Sequence, residues 1–128
     1  MNVLVDTSVW IDYFRGGERS ADVDFLIDEN LVVTNDIVLA ELTPFLRLRK
    51  QTKLIQLLNE ITKFPLDINW AQVIDLQTEC LSRDSNGIGI PDLIIALNAK
   101  QNELKIFSFD KHFAFISEAT KLDLYVPG

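Results

Sequence analysis

The chain has 128 residues, 48% of them hydrophobic and 24% charged, with a net charge of −7. That is the make-up of one ordinary domain, residues 1–128, able to bury a sizeable core. It excludes a membrane-spanning helix, since no apolar run approaches the roughly 18 residues required, and the acidic balance argues against a sequence-blind nucleic-acid binder.

Asn2 to Val5 reads as a short buried strand that ends on Asp6. A helix follows, with Thr7 or Ser8 as its cap and Trp10, Ile11 and Phe14 on its buried face, and Gly16-Gly17 closes it. A second helix covers Ser20 to Asp28. Leu31-Val32-Val33 is the next strand, and Asn35 or Asp36 caps the helix that carries Glu41. Pro44 removes an amide donor, so that helix should kink or restart there, with Thr43 as the new cap. A basic stretch (Arg47, Arg49, Lys50, Lys53) precedes a helix striped by Leu54, Leu57, Leu58 and Ile61. Phe64 to Ile68 is a strand candidate, and Trp70, Val73, Ile74, Cys80 and Leu81 mark a helix, with Trp70 packing in the core like Trp10 and Phe14. Ser85 to Ile90 is a loop, and Pro91 opens a strongly apolar helix through Asn102. Leu104 to Phe109 is a strand ending at Asp110, a short helix spans Lys111 to Ile116, and Leu124-Tyr125-Val126 is a last strand. Strand and helix alternate, and the strands are apolar on both faces. This predicts a three-layer α/β/α fold around a parallel sheet.

The lone cysteine rules out an internal disulfide and a cysteine-based zinc site, and Cys80 is expected to be a buried, inert thiol. The N-terminus lacks a basic segment and carries Asp6 and Asp12, so it does not read as a signal peptide, and a cytoplasmic location is expected.

Four acids share one kind of position. Asp6 and Asp110 directly follow strands, whereas Glu41 and Asp92 lie in the first turns of helices. In an open parallel sheet, ligands bind beyond the carboxyl ends of the strands, where helices begin. Each acid alone can be a helix cap or dipole partner, worth about 1 kcal/mol. Together they would repel unless protons or a cation intervene, and Mg²⁺ accepts a few carboxylates while keeping waters. A bound divalent ion lowers the pKa of water and can brace the oxygens of a phosphodiester during cleavage.

"VLVDTSVWIDYF", "TNDIVLAEL" and "IPDLIIALNAKQNELKIFSFDKHF" resemble the PIN-domain ribonucleases, and specifically the VapC-like toxins of bacterial toxin–antitoxin modules. The resemblance covers nearly the whole chain. By position it implies that Asp6, Glu41, Asp92 and Asp110 form the family's acidic quartet. It implies a parallel sheet between helices, and Mg²⁺-dependent or Mn²⁺-dependent endonucleolytic cleavage of RNA. It also implies a small antitoxin that covers the site, and a homodimer. Ser108 stands where the family often has Thr, and Ser8 matches a polar position near the metal.

On this reading Asp6 and Asp92 ligate the ion directly. Asp110 binds a second ion or holds a metal water, and Glu41 orients the nucleophilic water or coordinates through one. Hydrolysis by metal-activated water leaves a 5′-phosphate and a 3′-hydroxyl. His112 is read as a surface or capping residue in preference to a substrate contact, and the basic stretch as either a solvated helical face or a contact for RNA phosphates. A phosphotransfer or phosphatase-type α/β domain is a rival class. It is disfavoured because Thr7 and Ser8 stand where receivers and haloacid-dehalogenase-like phosphatases carry further acids. A catalytically inactive, protein-binding PIN domain is the other alternative, and the presence of all four acids speaks against it.

Overall fold

A computed structural model describes residues 2–83 and 87–127. Its strands are β1 (Val3–Val5), β2 (Val32–Thr34), β3 (Thr62–Lys63) and β4 (Lys105–Phe107). Its helices are α1 (Thr7–Phe14), α2 (Ser20–Asp28), α3 (Asp36–Leu48), α4 (Thr52–Glu60), α5 (Trp70–Ser82), α6 (Ile90–Gln101) and α7 (Lys111–Thr120). The sheet order is β3-β2-β1-β4, and every pairing is parallel. The chain steps from β1 to β2 to β3 in one direction, then crosses back to place β4 on the other side of β1. Right-handed crossovers send the helices of those two journeys to opposite faces, which gives the three-layer arrangement.

Burial explains the apolar strands. Val3, Leu4 and Val5 are fully buried in the central strand, and Ile106 and Phe107 in β4 are nearly so. Trp10, Leu26, Leu42, Leu46, Leu93, Ile95, Phe113 and Ile116 cover the sheet from the helices. Cys80 lies in this core, and burial raises its thiol pKa.

Several expectations need correction. α3 runs through Pro44 without restarting, and Thr43 does not cap a new helix. The reason is placement: Ala40 and Pro44 both face solvent, so water can satisfy the carbonyl freed by proline, while buried Val38, Leu42 and Leu46 pin the helix on its other side. Neither Thr7 nor Ser8 caps α1. Asp6 holds the N-cap position with no side-chain cap bond, and both hydroxyls are used elsewhere. The expected strand at Phe64 to Ile68 is absent. Phe64 N–H still donates to Thr34 O at 2.9 Å, but Pro65 has no N–H with which to continue the ladder. Trp70 is 58% exposed, and Ile74 and Leu81 share its open face, because the buried stripe of α5 is Val73, Leu76 and Cys80. α7 extends to Thr120, beyond Ile116. Leu124 makes only an isolated bridge to Ile106 rather than a strand. Of the loop expected at Ser85 to Ile90, Ser85 and Asn86 lie outside the described residues, Gly87 to Gly89 is loop, and Ile90 already belongs to α6. No described helix is long and apolar enough to cross a membrane.

Candidate active site

The strand order reverses at β1, between its neighbours β2 and β4, and such a switch point opens a crevice at the carboxyl ends of the strands. Val5 pairs with Phe107, so Asp6 and Ser108 leave the sheet side by side. Asp6 is only 5% exposed. Ser108 Oγ donates to Asp6 Oδ2 at 2.7 Å, and Ser8 Oγ donates to the same oxygen at 3.0 Å. The two hydroxyls are themselves 3.3 Å apart, and each accepts a backbone amide: Phe109 N–H on Ser8 and Asp110 N–H on Ser108. The carboxylate, an acceptor only, draws the hydrogens of both hydroxyls. Asp6 Oδ1 takes no hydrogen bond among the described residues.

Asp110 caps α7 by accepting the His112 N–H on Oδ1 at 2.9 Å. Asp92 sits in the first turn of α6, just after Pro91. Its carboxyl pKa is raised, chiefly by burial and further by the charges of Asp110 and Asp6, with His112 opposing. Glu41 projects from α3 and accepts a hydrogen bond from Thr7 Oγ1 at 3.3 Å. Glu41 is exposed as a residue, yet partial desolvation of its carboxylate and then the charge of Asp6 push its pKa up, with Thr7 opposing and Asp92 adding. The four acids, delivered by four different elements, thus lie within electrostatic reach of one another.

No lysine or arginine neutralises them among the described residues. The ion pairs of those side chains lie elsewhere, at Arg19–Asp22, Lys63–Asp36 and Arg83–Glu79. Converging carboxylates without a cationic side chain, one of them almost fully buried, form a donor set that fits a divalent cation. One ligand atom each from Asp92, Asp110 and His112 can be chosen so that all lie within 4.8 Å of one another, which is compact enough to hold such an ion.

Sequence reading missed two side chains here. His112, taken for a surface or capping residue, places Nδ1 at 3.4 Å from both Asp92 and Asp110. Its position in the turn that Asp110 caps was the available signal. Thr7, taken for a cap, is instead the hydroxyl that holds Glu41. The basic stretch is not part of the cluster. Arg47 and Arg49 end α3, Lys50 lies in the turn beyond it and Lys53 begins α4, all of them exposed, with the Arg49 guanidinium stacked 3.8 Å over the Phe45 ring.

Residues 3–118 match the PIN domain family, and the chain belongs to it. In structure it is similar to FitAcB from Neisseria gonorrhoeae, at 25% identity and a TM-score of 0.74, over 98% of this chain and 97% of that one. It is also similar to VapBC2 from Rickettsia felis bound to a promoter DNA fragment, at 21% identity and a TM-score of 0.76, over 98% of both chains. A third likeness is to VapC20 of Mycobacterium tuberculosis, described as a Sarcin-Ricin loop cleaving toxin. It has 15% identity and a TM-score of 0.62, over 89% of this chain and 94% of that one. No curated protein matches the chain by sequence.

Proposed function

We propose that this chain is the toxin of a toxin–antitoxin module, a VapC-like, metal-dependent endoribonuclease. The observation that carries the reading is the meeting of Asp6, Glu41, Asp92 and Asp110 at one switch point, with no lysine or arginine paired to them among the described residues. Membership of the PIN family and likeness to FitAcB, VapBC2 and VapC20 support it.

Asp6, Asp92 and Asp110 are the residues that hold the ion, Mg²⁺ or Mn²⁺. When bound, the ion supplies Lewis acidity, favouring ionisation of water and stabilising charge on the phosphate oxygens. Ser8 and Ser108 fix the Asp6 carboxylate through Oδ2, and Oδ1, which takes no hydrogen bond among the described residues, would be the oxygen available to an ion. Glu41 orients the attacking water and takes up its proton, a role suited to a carboxylate whose pKa is raised by burial and neighbouring charge. Attack by water leaves a 5′-phosphate and a 3′-hydroxyl. Arg47, Arg49, Lys50 and Lys53 contact RNA phosphates away from the scissile bond. The physiological partners are a small antitoxin that covers the crevice and a second copy of the chain, and the protein works in the cytoplasm.

The test is RNA cleavage by wild type and Asp6→Asn, with end mapping. Wild type is expected to cleave with added Mg²⁺ or Mn²⁺, to stop on chelation, and to leave 5′-phosphates. Asp6→Asn should lose activity at least about 100-fold while keeping a cooperative melt. Turnover that survives chelation, or phosphate transferred onto Asp6, overturns the reading.

A further inference from the structure

The sequence contains one histidine, and the fold delivers its ring to the acids. His112 Nδ1 stands 3.4 Å from Asp92 Oδ2 and 3.4 Å from Asp110 Oδ1. A charge-assisted hydrogen bond between such groups would be about 2.8 Å long. Two equal, long contacts are poor hydrogen bonds, but they match the spacing of ligand atoms around a shared ion. With ligands about 2.1 Å from a cation, neighbouring donors stand roughly 3.0 Å apart in octahedral and roughly 3.4 Å apart in tetrahedral geometry.

The ring is also held in place. The His112 N–H bonds Asp110 Oδ1, so imidazole and carboxylate are fixed to one turn of α7. Asp92 is fixed by the first turn of α6. The other ring nitrogen, Nε2, faces Gly87, where an added Cβ would stand 3.9 Å away. An imidazole that ligates through Nδ1 carries its hydrogen on Nε2.

We infer that His112 Nδ1 is a direct ligand of a divalent transition-metal ion shared with Asp92 and Asp110, and that it gives the centre a preference for Mn²⁺ over Mg²⁺. The inference rests on the metal-dependent reading above and adds a nitrogen donor to its carboxylates. Mg²⁺ is a hard ion that keeps to oxygen ligands. Imidazole nitrogen is a softer donor, which first-row transition ions accept more readily. The three side chains therefore form a mixed position, distinct in chemistry from an all-carboxylate one.

The test uses tag-free protein with Mn²⁺ alone as the probe. Pulsed EPR of the bound Mn²⁺ is expected to show ¹⁴N coupling from an imidazole, and with one histidine in the chain the source is unambiguous. His112→Gln should lose that coupling, bind Mn²⁺ about tenfold more weakly, and bind Mg²⁺ within about threefold of wild type. Bound Mn²⁺ without ¹⁴N coupling in the wild-type spectrum overturns the inference, whether or not the variant folds. So does a variant that binds Mn²⁺ unchanged. No binding of Mn²⁺ by wild type overturns both this inference and the metal-dependent reading. RNA left uncut by a protein that does show the coupling overturns the nuclease alone.

Discussion

Asp6 is the residue on which the site is built. It is buried, shares one oxygen between two serines, and faces Glu41 and Asp92 with no lysine or arginine among the described residues to offset them. Such an arrangement sacrifices stability for function. Glu41 and Asp92 both have raised pKa values, with burial the leading cause and like charge next among the causes that raise them. Between the ordinary carboxylate range and those raised values, the folded protein binds more protons than the unfolded chain. Stability of the metal-free protein therefore falls as pH rises through that window. The penalty is absent below the ordinary carboxylate range and complete above the raised values. Replacing Asp92 by Asn is expected to stabilise the metal-free protein near pH 7 by up to about 1 kcal/mol, and replacing the more exposed Glu41 by Gln by less, because solvent screens the repulsion there. The gain should vanish on acidification. Melting curves in chelator at pH 4 and pH 7 check this, and variants less stable than wild type at pH 7 would contradict it.

At the scale of elements, α3 shows how packing overrides local preference. Its start is fixed by Asn35, which is fully buried and accepts the Val38 N–H on Oδ1 at 3.0 Å. The same side chain donates through Nδ2 to Asn98 Oδ1 on α6 at 3.2 Å, and Asn98 in turn donates to Pro65 O at 3.1 Å. One asparagine thus caps the helix that carries Glu41 and ties it to the helix that carries Asp92. Asn35→Ala removes the cap and strands the Asn98 carbonyl in the core. The expected cost is about 2–3 kcal/mol, read as a lower urea midpoint, whereas replacing the equally polar but exposed Asn59 should cost under about 0.5 kcal/mol. Pro44 was the strongest local signal against a continuous α3, and it failed because its ring and the carbonyl it frees both face water.

For the molecule as a whole, binding energy flows into stability. A ligand that binds only the folded state stabilises it by about 2.7 kcal/mol at 100 times its dissociation constant. Mn²⁺ should therefore raise the melting temperature of wild type at pH 7.5. It should do so far less at pH 4.5, where protons compete for the ligands. Scanning calorimetry with and without the ion measures both, and equal shifts at the two pH values would refute carboxylate ligation.

The architecture was largely legible in the sequence, because buried parallel strands must be apolar on both faces and Val3, Leu4, Val5, Ile106 and Phe107 announce this directly. So was the convergence of the acids, once each was seen to stand where a strand ends or a helix begins. The order β3-β2-β1-β4 was not legible, since nothing local records which strands meet. Trp70 was misplaced because helical spacing reveals an apolar stripe without saying whether a neighbour covers it. The approach of His112 to Asp92 was not legible, because the two stand twenty positions apart and only the tertiary fold brings them near.

The hydrogen bond from Ser108 to Asp6 joins residues 102 apart in sequence, across the pairing of the first strand with the last. Synthesis therefore delivers Asp6 and Glu41 well before Ser108 and Asp110. A prematurely terminated product that stops before β4 lacks Ser108 and Asp110 altogether, and leaves the centremost strand with one edge bare. The acid cluster therefore assembles only after β4 has docked against β1.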